Sequence, residues 1–238
     1  MAAKVDFKRI TALSFDCYGT LIDWETGLRG ALHAKFGPVP EKTLFPAFAE
    51  AEAREEARTP GKPYPLILEA VYRALAVRFD VTITQDDARN LGASIPNWPA
   101  FKDSADALKR LQRRFKLCIL SNVDHASFAA SERKLGVSFD LVVTAQDVGS
   151  YKPDLKNFRA LLDHTREAKI ISRKPELLHV AESLFHDHVP AQKLGLKTCW
   201  IDRRAGQGGG ASTGGRKLAV KPHLTFHSLA QLADAAGV

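Results

Sequence analysis

The sequence predicts an α/β protein built on a doubly wound parallel sheet, with a helical segment inserted after the first strand. Three observations carry that prediction. From about Pro99 onward, short apolar runs alternate with stretches of helical period, the pattern of parallel strands joined by crossover helices. A further apolar run, Ile10 to Phe15, lies near the N-terminus. Between them, from about Trp24 to Gly92, the chain changes character and becomes rich in Ala, Glu and Arg at helical spacing.

Each element has its own warrant. Ile10 to Phe15 reads as a buried strand that ends at Asp16. In the insertion, Leu44 to Ala57 and Leu66 to Phe79 read as helices, separated by the breakers Pro60-Gly61 and Pro63. Beyond Pro99, helices are predicted at Asp103 to Arg114, Ala126 to Leu135, Leu155 to His164 and, shorter, Val189 to Leu194. The strands between them are Lys116 to Leu120, Leu141 to Thr144, Leu177 to Ala181 and Thr198 to Ile201. Ser228 to Ala235 reads as a closing helix. The expected boundaries are 23–96 for the insertion, with 1–22 and 97–238 forming the sheet-bearing core. The Gly-rich stretch Gln207 to Gly215 reads as a flexible surface loop and not a phosphate cradle, because no helix start follows it.

The 238 residues suffice for one large domain carrying a smaller insertion, with apolar (45%) and charged (26%) fractions ordinary for a globular chain. Cys17, Cys118 and Cys199 each lie in or beside an apolar run, far apart in sequence. They read as buried free thiols of a reducing compartment, with no metal-type pair among them. No signal-like stretch opens the chain and no run approaches bilayer length, so a cytoplasmic protein is expected. The net charge of +7 is spread along the sequence without a basic arm. Nucleic acid is therefore not the expected partner, whereas a mildly basic surface attracts small anions. The expected partner is a small-molecule substrate, with no membrane, and a homodimer is compatible with the composition.

In open α/β sheets, ligands bind at the carboxyl ends of the strands. Four predicted strands deliver polar groups to that edge: Asp16 after the first, Ser121-Asn122 after the second, Lys152 a short loop after the third, and Glu182, Ser183 and Asp187 after the fourth. Singly, each has a plain explanation: a turn cap, a helix N-cap pair, a surface lysine, a solvated glutamate. Four in order point to a shared site. Asp16 is placed to act as a carboxylate nucleophile. Two residues on stands Tyr18, not a second acid, which suits a leaving group that departs as a stable anion. His186 and His188 flank Asp187 but lack a third partner, so zinc is not expected. Trp24 and Trp98 are expected to pack between insertion and core, Trp24 also lining the pocket.

On these residues the chain resembles the haloacid dehalogenase superfamily of hydrolases, and within it the type II L-2-haloacid dehalogenases. The resemblance runs from Asp16 to about Arg203 and rests on Asp16-Cys17-Tyr18-Gly19-Thr20, Ser121-Asn122, Lys152 before Pro153-Asp154, and Asp187. It implies a Rossmann-like core with a helical cap domain, and a hydrolytic dehalogenase acting on small 2-haloacids without a cofactor. Asp16 would attack the halogen-bearing carbon to give an aspartyl ester, which water then hydrolyses. Lys152 would keep Asp16 ionised, Thr20 and Ser121 would hold nucleophile or substrate, Asn122 would bind the halide, and Asp187 would activate the water. Two departures stand out. The cap arginine of the dehalogenases is missing from its expected stretch, Pro46 to Glu50, leaving Arg54 as the nearest cationic candidate for substrate binding. The stretch Ala181 to Asp187 is spaced more like that of magnesium-dependent phosphatases of the superfamily. That opens an alternative, a Mg²⁺ site of Asp16, Glu182 and Asp187 serving an aspartyl-phosphate. A non-catalytic binding protein on the same fold is the remaining alternative.

Overall fold

The structure is a computed structural model and describes residues 5–204 and 220–238. The predicted loop Gln207 to Gly215 lies outside the described residues. Six parallel strands form one sheet in the order β3-β2-β1-β4-β5-β6. They are β1 (Ala12–Phe15), β2 (Lys116–Ser121), β3 (Leu141–Thr144), β4 (Leu177–Ala181), β5 (Lys197–Ile201) and β6 (Leu224–Phe226). All four residues of β1 and all five of β4 are buried, as expected of strands covered by helices on both faces. β1 pairs with β2 on one side and β4 on the other, so Phe15 lies level with both Ile119 and Val180. The winding reverses at β1, and the crevice beyond its carboxyl end is where such sheets bind ligands. Asp16 sits there, its N–H bonded to the Val180 carbonyl at 3.0 Å.

After β1 come the four helices of the cap: α1 (Trp24–Phe36), α2 (Glu41–Arg58), α3 (Tyr64–Phe79) and α4 (Gln85–Ala93). Asp23 caps α1 by accepting from the Thr26 N–H, and Thr84 with Asp87 forms a reciprocal capping box on α4. The chain's departure and return lie side by side. Asp23 N–H donates to the Pro99 carbonyl (2.8 Å), Phe101 N–H to Leu21 (3.0 Å), and Ile22 bridges antiparallel to Ala100. Trp98, buried at this junction, bonds through its indole N–H to Ser94 Oγ at 3.0 Å. Its ring fills the space at Gly27, where an added Cβ would fall 2.3 Å from it. Any side chain at Gly27 would expel the tryptophan.

The remaining helices are α5 (Ser104–Gln112), α6 (His125–Leu135), α7 (Ala145–Val148), α8 (Leu155–Glu167), α9 (Val189–Lys193) and α10 (Leu229–Ala236). Two elements escaped the sequence reading. β6 has only three residues, none fully buried, so no apolar run announced it. α7 is a single turn capped by Thr144. The three thiols are free and buried, and burial pushes that of Cys118 up to about 12. Among the described residues, no helix is long and apolar enough to cross a membrane.

Candidate active site

The strand ends bring Asp16, Ser121, Lys152 and Asp187 around one cavity of about 70 Å³. Asp16 is 6% exposed. Its Oδ1 accepts from Lys152 Nζ at 2.8 Å and its Oδ2 from Thr20 Oγ1, also at 2.8 Å. The turn that follows requires Gly19, whose φ of +94° lies in the left-handed region and whose added Cβ would approach Trp24 Nε1 to 3.2 Å. Thr20 is itself fixed, since its Oγ1 accepts from the Glu182 N–H at 2.9 Å. Arg203 donates to the Thr20 carbonyl and pairs with Asp103 at 2.7 Å, which ties the turn to the core.

Lys152 lies in the middle of the site and is 2% exposed. Its ammonium makes three bonds, to Asp16 Oδ1 (2.8 Å), Asp187 Oδ1 (2.7 Å) and the Leu120 carbonyl (3.0 Å). Three donors meet three acceptors, so none is left over. The Asn122 side chain sets its backbone, accepting from the Lys152 N–H at 2.6 Å and donating to the Lys152 carbonyl at 3.0 Å. Burial pushes the Asp16 carboxyl above its ordinary range, Asp187 adds to this, and the charge of Lys152 opposes it. Asp187, also buried, stays below its ordinary range because Lys152 and His179 outweigh burial. His179 Nε2 lies 3.0 Å from Asp187 Oδ1 and its Nδ1 2.9 Å from Ser14 Oγ. Two buried atoms of this cluster have no hydrogen-bond partner, Ser121 Oγ and Asp187 Oδ2.

The aromatic residues form walls. Tyr18 directs its hydroxyl to Ser131 Oγ (2.9 Å) and the Ser127 carbonyl, towards α6, and its ring meets Trp98 edge-on at 5.4 Å. Burial pushes its pKa up, which suits a wall and not an acid. Trp24 lines the cavity and packs against Phe48 at 5.9 Å.

Arg54 does not reach the cavity. It is exposed and lies in an outer groove between α2 and α3, with Glu50, Ala74 and Arg78. The reason is helical phase: Arg54 stands two residues from both Glu52 and Glu56, about 200° around α2 from each, and those two face the cavity. Arg54→Ala is therefore expected to leave kcat/KM within about twofold of wild type, the scale of a surface substitution; a tenfold loss in steady-state kinetics would put Arg54 back at the site.

The magnesium alternative does not fit the side chains. Two of its three expected ligands, Asp16 and Asp187, already share the Lys152 ammonium through their Oδ1 atoms. Glu182, the third expected ligand, borders a neighbouring hollow with Gly19, Asp23 and Arg203. Its backbone N–H donates to Thr20 Oγ1, and its carbonyl accepts from Trp200 Nε1 at 2.8 Å. Among the described residues, no group of three His, Cys, Asp or Glu is disposed to hold a metal ion.

Three residues of the site were not expected. His179 is the one polar residue in the run Leu-Leu-His-Val-Ala of β4, a signal that was available. Glu52 and Glu56, one turn apart on α2, enter the cavity from the cap. Glu52 accepts from the Tyr64 hydroxyl at 2.6 Å, and Glu56 from Asn122 Nδ2 at 3.4 Å. Burial pushes Glu52 up to about 7. It pushes Glu56 well above the carboxylate range, and Glu52 adds to the effect. The two continue the buried stripe of Phe45 and Phe48 at spacings of three and four.

Comparison with known proteins follows the same lines. A family model described as haloacid dehalogenase-like hydrolase matches residues 10–171. No curated protein matches the chain. Among solved structures, the L-2-haloacid dehalogenase RSc1362 superposes with a TM-score of 0.78 at 21% identity, covering 96% of this chain and 99% of that one. The L-2-haloacid dehalogenase from Xanthobacter autotrophicus with chloropropionic acid covalently bound gives 0.76 at 17% identity, covering 96% and 98%. YfnB from Bacillus subtilis, a putative HAD-hydrolase bound to magnesium, gives 0.73 at 18% identity, covering 97% and 100%. At these identities the likeness is one of fold.

Proposed function

The chain belongs to the haloacid dehalogenase-like hydrolases, and from that premise we propose that it hydrolyses a carbon–halogen bond through an aspartyl ester on Asp16. The observation that carries this reading is the buried Asp16–Lys152–Asp187 arrangement, with bonds of 2.8 and 2.7 Å about one ammonium. Lys152 supplies a fixed positive charge beside the nucleophile and orients it, while Thr20 holds the other carboxylate oxygen. Asp16 attacks the halogen-bearing carbon, and the halide leaves with the electrons of the broken bond. Water then adds to the Asp16 carbonyl carbon. Asp187, whose Oδ2 has no partner within the protein, takes a proton from that water and returns it to the departing alkoxide; the Asp16 carboxylic acid left behind releases the second proton to solvent and becomes the carboxylate again. Tyr18 and Trp24 wall the cavity and limit bulk water around the nucleophile. Small 2-haloacids are the substrates that the family resemblance implies, and the dehalogenases of like fold support that class.

A paired assay tests the reading: halide release from 2-haloacids and other small organic halides without metal, against phosphate release from aryl and acyl phosphates with Mg²⁺. Halide release is expected to be unchanged by EDTA, because Lys152 provides the positive charge at Asp16. Activity that vanished with chelator and returned with Mg²⁺ would overturn it in favour of an aspartyl-phosphate mechanism.

A further inference from the structure

The carboxyl groups around the cavity outnumber its cationic groups. Asp16, Asp187, Glu52 and Glu56 contribute four carboxyl groups. Against them stand the His186 ring, which also lines the cavity, and the ammonium of Lys152, whose three donors are all spent on Asp16, Asp187 and a carbonyl. The guanidinium groups of the cap turn elsewhere. Arg58 pairs with Glu55 at 2.6 Å, Arg78 with Glu50 at 2.6 Å, and Arg54 lies in the outer groove. A substrate carboxylate entering here would meet carboxyl groups from the cap and no uncommitted N–H of Lys152.

An ionised carboxyl group is costly to bury without a counter-charge, so it either keeps its proton, as burial favours at Glu52 and Glu56, or ionises against a cationic ligand. Glu56 is 7% exposed, and its recorded bonding partner is the neutral Asn122 amide. Glu52 meets the neutral Tyr64 hydroxyl. Neither contact supplies a charge. A second observation points to a polar ligand: Ser121 Oγ, 2% exposed and part of the same lining, has no hydrogen-bond partner within the protein. We propose that the cavity binds a small substrate bearing a primary ammonium group, seated between Glu52 and Glu56 of the cap, with the electrophilic carbon presented to Asp16. An ammonium has three donors and no acceptor, so it can serve both glutamates at once. Charge-assisted bonds to both also give the cap an electrostatic reason to close over this substrate.

The inference rests on the reading of Asp16 as the nucleophile of this cavity and names the substrate class it serves. Its test separates binding from chemistry. Propylammonium and propionate, neither of which carries a halogen, are titrated calorimetrically into the full-length protein at neutral pH. Propylammonium is expected to bind at least tenfold more tightly than propionate. Glu56→Gln and Glu52→Gln, each checked for an unchanged melting temperature, should weaken propylammonium by tenfold or more. Equal or tighter binding of propionate, or an unchanged affinity for propylammonium in both folded variants, would overturn the inference. Turnover supplies the second arm, with 3-chloropropylammonium expected to release chloride at a kcat/KM at least tenfold above 2-chloropropionate. Selective propylammonium binding with no halide from either compound would uphold the cation site and defeat the dehalogenase reading.

Discussion

Asp16→Asn is expected to lower turnover by about a thousandfold or more while leaving the fold intact, because an amide is neither an anion nor a competent nucleophile. The substitution keeps the shape of a side chain that sits between Lys152 Nζ and Thr20 Oγ1, both at 2.8 Å. The asparagine oxygen can still accept from one of them, so circular dichroism and cooperative melting should persist. Intact-mass spectrometry under rapid quench gives a sharper readout: the wild type should accumulate a covalent adduct on Asp16, and the variant none. In the wild type, burial pushes the Asp16 carboxyl above its ordinary value. The acid limb of kcat/KM should accordingly lie above pH ~4, the usual carboxylate value. A variant that kept more than a tenth of wild-type activity would remove Asp16 from the chemistry.

The nucleophile was legible in the sequence for a local reason. A residue that follows a fully buried strand is carried to the sheet edge by the strand itself, whatever the rest of the fold does. Asp16, Ser121 and Asp187 were found in this way, and Lys152 by its loop after β3. What was not legible depends on how separate elements dock. Glu52 and Glu56 lie on a helix whose composition is polar, and only the way α2 docks decides which of its acids face the cavity. Arg54 was selected by its position along the chain, where rotation about the helix axis governs. Glu182 was grouped with Asp187 by spacing. A wide helical turn at Leu184–His188, capped by the Ser183 side chain, carries Asp187 towards Lys152, while Glu182 lines the hollow beside Arg203.

The net charge was equally deceptive. At +7 the chain as a whole invites anions, yet the cavity at Asp16 is lined by four carboxyl groups. Long-range steering and local recognition are separate quantities: surface charge is screened over roughly 8–10 Å at physiological salt, whereas groups lining the cavity meet the substrate directly. The missing cap arginine is thus more than a gap in a motif. Two inward-facing cap carboxyl groups line the cavity with the nucleophile, which is a reason to test cationic substrates before a longer series of haloacids.

Lys152→Met is expected to damage both activity and stability, and the second effect carries a pH signature. Methionine replaces the aliphatic stem but removes the charge between two buried carboxylates. Removing one partner of a buried ion pair costs about 3–5 kcal/mol, which in a chain of this size lowers Tm by on the order of 10 °C. The signs run oppositely in the two proteins. In the wild type, Asp187 has its carboxyl below the ordinary range; its contribution to stability is present above pH ~4 and is lost as pH falls through its folded value. Without Lys152, burial and mutual repulsion raise both Asp16 and Asp187, so each is protonated in the fold at a pH where the unfolded chain has released its proton. Such groups destabilise increasingly as pH rises above about 4. The gap in Tm between wild type and Lys152→Met should therefore be wider at pH 7 than at pH 5, measured by calorimetry in matched ionic strength. A gap that stayed constant over that interval would mean that Asp16 and Asp187 do not depend on Lys152 for their charge, and the electrostatic role assigned to it at the nucleophile would fall with that result.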